Sequence, residues 1–195
     1  MLDNMNFVKN SSMIAYAESV SQFRLPRWEQ IPTLGLYMDQ VVTVIEKTLM
    51  PLIGINGEAI ITPSMINNYV KLGMVQKPDK KKYNREHIAS LIVITILKQA
   101  TAIGDIRLGI DTVLKTGDKD VCYDSFCDYV ERSIKIVAQS VLVSEQEGED
   151  TEIHFSYNVH HTMITMAVCS FATKIFTSKM LSIIREESTK EKADT

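Results

Sequence analysis

The chain has 195 residues, of which 45% are hydrophobic and 23% charged, and its formal net charge is -3. This composition excludes a chain that is disordered over most of its length, because such chains combine low hydrophobicity with a high net charge. The total charge is also too small to indicate a highly charged partner by itself. The length allows one domain or two small ones.

The N-terminal third is predicted to be helical with interruptions. Residues 7–23 are predicted to form a helix or an arm, and the prolines at positions 26 and 32 interrupt the chain after it. A second helix is predicted from Asp39 to about Leu49, because apolar residues recur there at helical spacing. Pro51 is expected to end it, and residues 54–58 are predicted to form a loop.

The strongest local signals lie between residues 62 and 83. Thr62 is a typical N-cap, Pro63 suits the first helical position, and Gly73 suits the left-handed residue after a helix. These signals predict a short helix of about ten residues. Residues 74–83 are predicted to form a small β-hairpin, with a turn at Pro78 and a basic return strand.

The second half of the chain is predicted to be entirely helical. Asn84 can cap a helix whose body is residues 91–97. The β-branched residues in this run are equally compatible with a buried strand. A helix is preferred because a capped start precedes this run. Further helices are predicted over residues 103–116, 120–143 and 152–185, with an acidic linker at 144–150 and a disordered charged tail at 186–195. The predicted fold class is all-α.

Charge is distributed unevenly along the chain. Residues 60–88 contain six cationic and two acidic side chains, a net charge of +4 in a chain whose total is -3. One explanation is neutralisation of nucleic-acid phosphates, which gives affinity that does not depend on sequence. The alternative is a solvated hairpin whose lysines keep an edge strand from pairing.

The helix predicted next to this basic segment carries a polar stripe. Ser64, Asn67, Asn68 and Lys71 are spaced i, i+3, i+4 and i+7, which places them on one face. Asparagine can bond adenine through two hydrogen bonds, and serine or lysine can hold phosphates or base edges. The alternative is an ordinary solvent-exposed face.

Two stretches together carry a family resemblance. They read Thr-Pro-Ser-Met-Ile-Asn-Asn-Tyr-Val-Lys-Leu-Gly-Met-Val from Thr62, and Tyr-Asn-Arg-Glu-His-Ile from Tyr83. They resemble the DNA-binding unit of MerR-type regulators, in which a recognition helix is followed by a wing and a further helix; Ile103-Gly104-Asp105-Ile106 resembles the start of the next helix. MerR-type recognition helices usually carry an arginine where Asn67 stands, and the connection before Pro63 is longer than a usual helix-turn-helix turn. With residues 36–41, the same stretches resemble more closely a domain of unknown function found mainly in low-GC Gram-positive bacteria.

The resemblance, which covers residues 28–115, implies a domain organisation and a set of candidate residues. It implies an N-terminal helix or arm at 1–27, a MerR-like winged helix-turn-helix domain with a small basic wing at 28–117, and an appended helical region at 118–185 for dimerisation or effector binding. The candidate DNA-binding residues are Ser64, Asn67, Asn68, Lys71, Lys77, Lys80, Lys81, Lys82, Tyr83 and Arg85.

No enzymatic or metal-binding constellation is apparent in the sequence. Neither a phosphate-binding glycine-rich loop nor a nucleophile elbow occurs, and the spacing of His87, His154, His160 and His161 matches no metal-ligand motif. The cysteines at 122, 127 and 169 are predicted to be reduced and mostly buried. We therefore expect no enzyme activity, no cofactor and no bound metal.

The sequence thus predicts a cytoplasmic DNA-binding transcriptional regulator. No signal peptide is recognised at the N-terminus, and the apolar stretch 163–184 contains Lys174 and Lys179, so no membrane span is expected. Because the last helix is apolar over much of its circumference, a homodimer through residues 120–185 is predicted. One alternative is a monomer in which residues 7–23 or the helix starting at Ile103 covers that helix. The others are a helical protein-interaction module that has lost DNA binding, and a small-molecule sensor.

Overall fold

The computed structural model describes residues 11–54, 57, 59–147, 152–156 and 162–193. Its described part is helical without strands, in agreement with the predicted all-α class. The helices are α1 (Ser11–Ser21), α2 (Met38–Ile53), α3 (Pro63–Lys71), α4 (Arg85–Leu97), α5 (Ile103–Val113), α6 (Lys119–Glu147) and α7 (Thr162–Ala193), with a single 3-10 turn at Trp28–Gln30.

Helix α4 forms the centre of the fold. Its residues are buried on nearly all sides, including Ile88, Leu91, Ile92 and Ile94, and it packs against α2, α6 and α7. Asn84 caps its first turn by accepting a hydrogen bond from the backbone N–H of His87. The run of β-branched residues 91–97 is therefore a core helix, as the capped start predicted.

Helices α1, α6 and α7 form a second packed layer. Helix α1 contacts both of the others, and its Met13, Ala17 and Val20 are buried. Tyr16 meets Phe176 of α7 edge-on, with ring centroids 5.4 Å apart. The N-terminal helix thus covers part of the apolar surface of the two long C-terminal helices.

The segment between α1 and α2 is tied to α6 by polar contacts. Glu131 accepts a hydrogen bond from the backbone N–H of Leu25 at 2.9 Å and pairs with Arg27 at 3.0 Å. The hydroxyl of Tyr123 donates to the carbonyl oxygen of Pro26 at 2.9 Å. These contacts join the first half of α6 to a segment about 100 residues earlier in the chain.

Two helices continue further than predicted in the middle of the chain. Helix α2 continues through Pro51 to Ile53, and Leu52 in this extension is completely buried. The proline removes a backbone hydrogen bond only two residues before the helix ends. Helix α6 continues to Glu147, into the stretch predicted to be an acidic linker. Each extension is four residues long, about one turn of helix.

The last helix is displaced along the chain relative to the prediction. Helix α7 begins at Thr162 rather than near residue 152. It also includes residues 186–193, which were predicted to be disordered; lysine, glutamate and alanine in this stretch favour extension of an existing helix. Residues 1–10, His160 and His161 lie outside the described residues.

The predicted β-hairpin at residues 74–83 is not formed. The backbone N–H groups of Met74 and Val75 donate to the carbonyl oxygen of Tyr69 at the end of α3, so they are not available for strand pairing. What remains is a tight turn, in which a single bridge joins Asp79 to Lys82. A second bridge joins Tyr83 to Leu36, just before α2.

Helix α7 is more apolar than its two lysines suggested. Its stretch Thr162–Glu186 is long and apolar enough, by length and composition, to span a membrane. Lys174 and Lys179 do not prevent this, contrary to the expectation from the sequence. Such a stretch is also typical of a core helix, and Val168, Phe171 and Ile175 of α7 are buried in the fold.

Candidate nucleic-acid interface

Helix α3 is a short amphipathic helix fixed at both ends. The hydroxyl oxygen of Thr62 accepts a hydrogen bond from the backbone N–H of Met65 at 3.2 Å, and Gly73 adopts a left-handed conformation with φ 70° after the last turn. Ile66 and Tyr69 are buried, and this burial raises the pKa of Tyr69. The inward face therefore fixes which side of α3 faces the solvent.

The outward face of α3 carries the polar residues singled out in the sequence. Ser64, Asn67, Asn68 and Lys71 are all exposed. None of them is used to hold the helix in place, because the cap and the buried residues do so. This face is thus available to an external partner.

Arg107 of α5 holds the C-terminal end of α3. Its guanidinium donates a 2.7 Å hydrogen bond to the carbonyl oxygen of Leu72 and would lie 3.7 Å from a Cβ atom at Gly73. A cation is favoured there because the last carbonyl groups of a helix are unpaired and partly negative. Sequence reasoning missed this contact, because the two residues are far apart in the chain.

Lys98 of α4 supports the segment that precedes α3. Its ammonium group donates to the carbonyl oxygen of Ile60 at 3.0 Å, and the side chain is partly buried. Desolvation by burial lowers the pKa of Lys98. Sequence reasoning also missed this residue; its one local signal is a lysine directly after the mostly apolar run 91–97.

The tight turn after α3 exposes a group of lysines. Lys80 and Lys81 both have positive φ angles, 46° and 65°, which are the left-handed values of a two-residue type I′ turn. Lys71, Lys77, Lys80, Lys81 and Lys82 are exposed, and within the described residues none of these five pairs with a carboxylate. Lys82 lies 5.6 Å from the centre of the exposed Tyr37 ring. We call these five residues the lysine cluster.

The placement of the turn depends on a close approach at Gly35. A Cβ atom at Gly35 would lie 2.9 Å from Cβ of Lys82, so a larger residue would displace the turn. The adjacent Leu36 exchanges two 2.8 Å backbone hydrogen bonds with Tyr83. The start of α2 and the lysine turn are therefore held together.

Two of the candidate residues have structural positions instead. Tyr83 is 3% exposed, its ring meets His87 edge-on at 5.4 Å, and burial raises its pKa. Arg85 pairs with Glu29 at 2.9 Å and donates to the carbonyl oxygen of Ile31. Both were grouped with the DNA-binding residues because of the family resemblance, but their long-range partners turn them toward the protein.

The other sequence candidates for chemistry are not brought together. The described residues contain no group of three or more histidine, cysteine, aspartate or glutamate side chains suited to a metal ion. Cys127 and Cys169 are buried and Cys122 is partly buried, all as free thiols. His154 pairs with the nearby Glu152, at 2.8 Å on the surface.

These features define a helical protein with a short polar-faced helix, a lysine cluster at the end of this helix and in the turn that follows it in the chain, and a buried central helix. A family model for a domain of unknown function, DUF1836, matches residues 26–129. The match covers more than half of the chain, and the protein belongs to this family. It begins just before the 3-10 turn and ends inside α6, so it includes α3 and the lysine cluster. Comparison with curated proteins gave no match, and comparison with solved structures gave none either.

Proposed function

We propose that the protein is a cytoplasmic transcriptional regulator that binds double-stranded DNA in the manner of MerR-type proteins. In this proposal α3 enters the major groove. The turn at Lys80 and Lys81 lies against the phosphate backbone, in place of a full β-hairpin wing. The order of α2, α3, turn and α4 supports it, because a winged helix-turn-helix has the same order.

The lysine cluster is the observation that carries the proposal. Elsewhere in the described chain, Arg27, Arg85 and Lys119 each have a carboxylate partner within 3.0 Å. The five lysines of the cluster have none within the described residues, although the protein as a whole is acidic. Lys115, Arg132 and Lys135 have none either, so the cluster is distinguished by its concentration within residues 71–82, at the end of α3 and directly after it. Unneutralised cations beside an exposed polar helix are what phosphate binding requires, because each neutralised phosphate releases a condensed counterion.

The lysines and the asparagines of the site are suited to different contacts with DNA. Lysine is a point charge on a flexible stem, which suits phosphate contacts that position the protein. The amides of Asn67 and Asn68 can donate and accept at the same time, which suits the edge of a base. We therefore assign positioning to the lysine cluster and base recognition to the two asparagines.

The proposal is tested by the salt dependence of DNA binding. The probes are the DNA immediately upstream of the protein's own coding sequence and a random-sequence duplex of equal length, titrated from about 50 to about 200 mM salt. Replacing Lys80, Lys81 and Lys82 by Ala should weaken binding to both duplexes alike. It should also flatten the slope of log affinity against log salt by about 0.9 for each phosphate that the turn no longer neutralises.

A matched variant controls for net charge. Lys115, Arg132 and Lys135 are exposed and lie outside the site, so replacing all three by Ala removes the same charge. This control should keep the wild-type slope. Absence of binding by the wild-type protein to either duplex at about 50 mM salt would refute the proposal, and equal slopes for the two triple variants would show that the turn does not touch DNA.

A helical protein-interaction module is the alternative function. Its exposed apolar side chains include Leu34, Leu108 and Leu181. Binding of a protein through such side chains would depend little on salt. Retained partner binding in high salt, without DNA binding, would favour this alternative.

A further inference from the structure

A cavity of about 610 Å³ lies between the central helix and the helices around it. It is lined mainly by apolar side chains of α4, α5, α6 and α7, including Val93, Ile106, Ile110, Phe126 and Ala167. Its volume falls within the range of about 300–1,000 Å³ that is typical of small-molecule sites. None of the residues assigned to DNA binding lines it.

His87 contributes part of its imidazole ring to the wall of the cavity. It is one of the lining residues and is 5% exposed. Its Nδ1 atom is within hydrogen-bond distance of Asn84, and its Nε2 atom is buried without a partner within the described residues. The buried Nε2 atom therefore does not present a polar contact to the cavity.

The charged residues along the cavity select against an anion. Glu86, Asp105 and Asp111 line it, against the single ammonium group of Lys119, which is itself bonded to Glu86 at 2.6 Å. An anionic ligand would meet this excess of carboxylates. An uncharged ligand would not, and most of the wall is apolar.

We propose that this cavity binds an uncharged, mainly apolar small molecule. The site does not depend on DNA binding, so failure of either proposal leaves the other intact.

The proposal is tested with Prodan, an uncharged naphthalene ketone whose emission reports both polarity and hydrogen bonding to its ketone. The full-length wild-type protein should bind it saturably, with enhanced and blue-shifted emission. The anionic naphthalene sulfonate ANS should bind more weakly at the same site. Absence of saturable Prodan binding overturns the proposal, and stronger binding of ANS than of Prodan at this site overturns the assignment of an uncharged ligand.

Two glycines on α5 give a matched pair of variants. Gly109 lines the cavity and a Cβ atom there would lie 3.4 Å from the flexible end of Met163, whereas Gly104 has nothing within 4 Å and does not line it. Both are in the same helix, so Gly109→Leu and Gly104→Leu gain similar helix propensity. Gly109→Leu should fill the cavity and lower Prodan affinity at least tenfold, and Gly104→Leu should bind as the wild type does. Equal affinities for the two variants would overturn the proposal.

Discussion

The amide side chains of α3 provide a test of base recognition at the level of single residues. If Asn67 or Asn68 contacts a base edge, its replacement by Ala should lower discrimination at one base pair by about 1–3 kcal/mol. The measurement is competition binding against a set of duplexes that differ at single positions. Both side chains are exposed, so the free energy of unfolding should change little. An equal loss on specific and random DNA would assign the residue to phosphate binding instead.

The buried thiol of Cys127 predicts a pH dependence of stability. Burial raises its pKa from 9.0 to about 11, so between these values the folded protein binds more protons than the unfolded chain. The contribution of this group is fully present below pH 9 and is lost as the pH rises through about 11. The loss amounts to about 2–3 kcal/mol in the free energy of unfolding.

Cys127→Ser isolates this effect from the other groups that ionise at high pH. Serine is similar in size but does not ionise in this range. Urea unfolding of both proteins from about pH 8 to about pH 11 should show the wild type losing more stability than the variant. Parallel pH profiles would contradict the prediction.

At the level of elements, the lysine turn predicts opposite effects on stability and on binding. Two consecutive lysines with positive φ are strained, and type I′ turns prefer Asn followed by Gly. The double variant Lys80→Asn, Lys81→Gly should therefore raise the free energy of unfolding by about 1 kcal/mol. It should also weaken DNA binding, because two positive charges are removed.

A second double variant separates strain from charge. Lys80→Ala, Lys81→Ala removes the same charge but leaves a side chain at both left-handed positions. Its loss of DNA affinity should equal that of the Asn-Gly variant, without the gain in stability. If the Asn-Gly variant is not more stable than the Ala variant in urea unfolding, the two backbone angles do not store strain.

The elements that could be predicted from the sequence are those with local signals. Thr62, Pro63 and Gly73 mark α3 correctly, and Asn84 marks the start of α4, because caps act on neighbouring backbone groups. Residues whose positions depend on distant partners could not be predicted. Tyr83 forms a backbone bridge with Leu36, and Arg85 forms an ion pair with Glu29. Neither partner can be predicted from the residues of the lysine-rich segment.

The same reasoning applies to the sites. The exposed face of α3 follows from helical spacing, whereas the cavity is formed by four helices spread from residue 85 to residue 193. Helix periodicity predicts which residues face inward, but it does not predict where inward faces fail to fill the space.

For the whole molecule, we propose a homodimer through the C-terminal helices. Helix α1 covers part of the apolar surface of α6 and α7, a surface that the sequence prediction had assigned to a partner chain. Four apolar residues of α7 nevertheless remain more than 40% exposed: Met163, Met166, Leu181 and Ile184. Light scattering at micromolar concentration should give a mass near twice the 22.0 kDa of one chain. A two-fold dimer would also present two α3 helices to two half-sites.

A matched pair of charge substitutions tests the proposed interface. Leu181→Lys should produce monomers without unfolding, because the side chain is 46% exposed. Leu34→Lys, at a position that is 79% exposed and outside the C-terminal helices, should leave the mass unchanged. A wild-type mass near that of one chain at every concentration would rule the dimer out.

The hydrogen bond from Arg107 to Leu72 gives α5 two roles at once. One side of this helix lines the cavity through Ile106, Gly109 and Ile110, and the guanidinium on another side holds the end of α3. Occupancy of the cavity and the orientation of α3 thus share one rigid element. If a molecule in the cavity changes the affinity of α3 for DNA by some factor, thermodynamic reciprocity requires DNA to change the affinity for that molecule by the same factor.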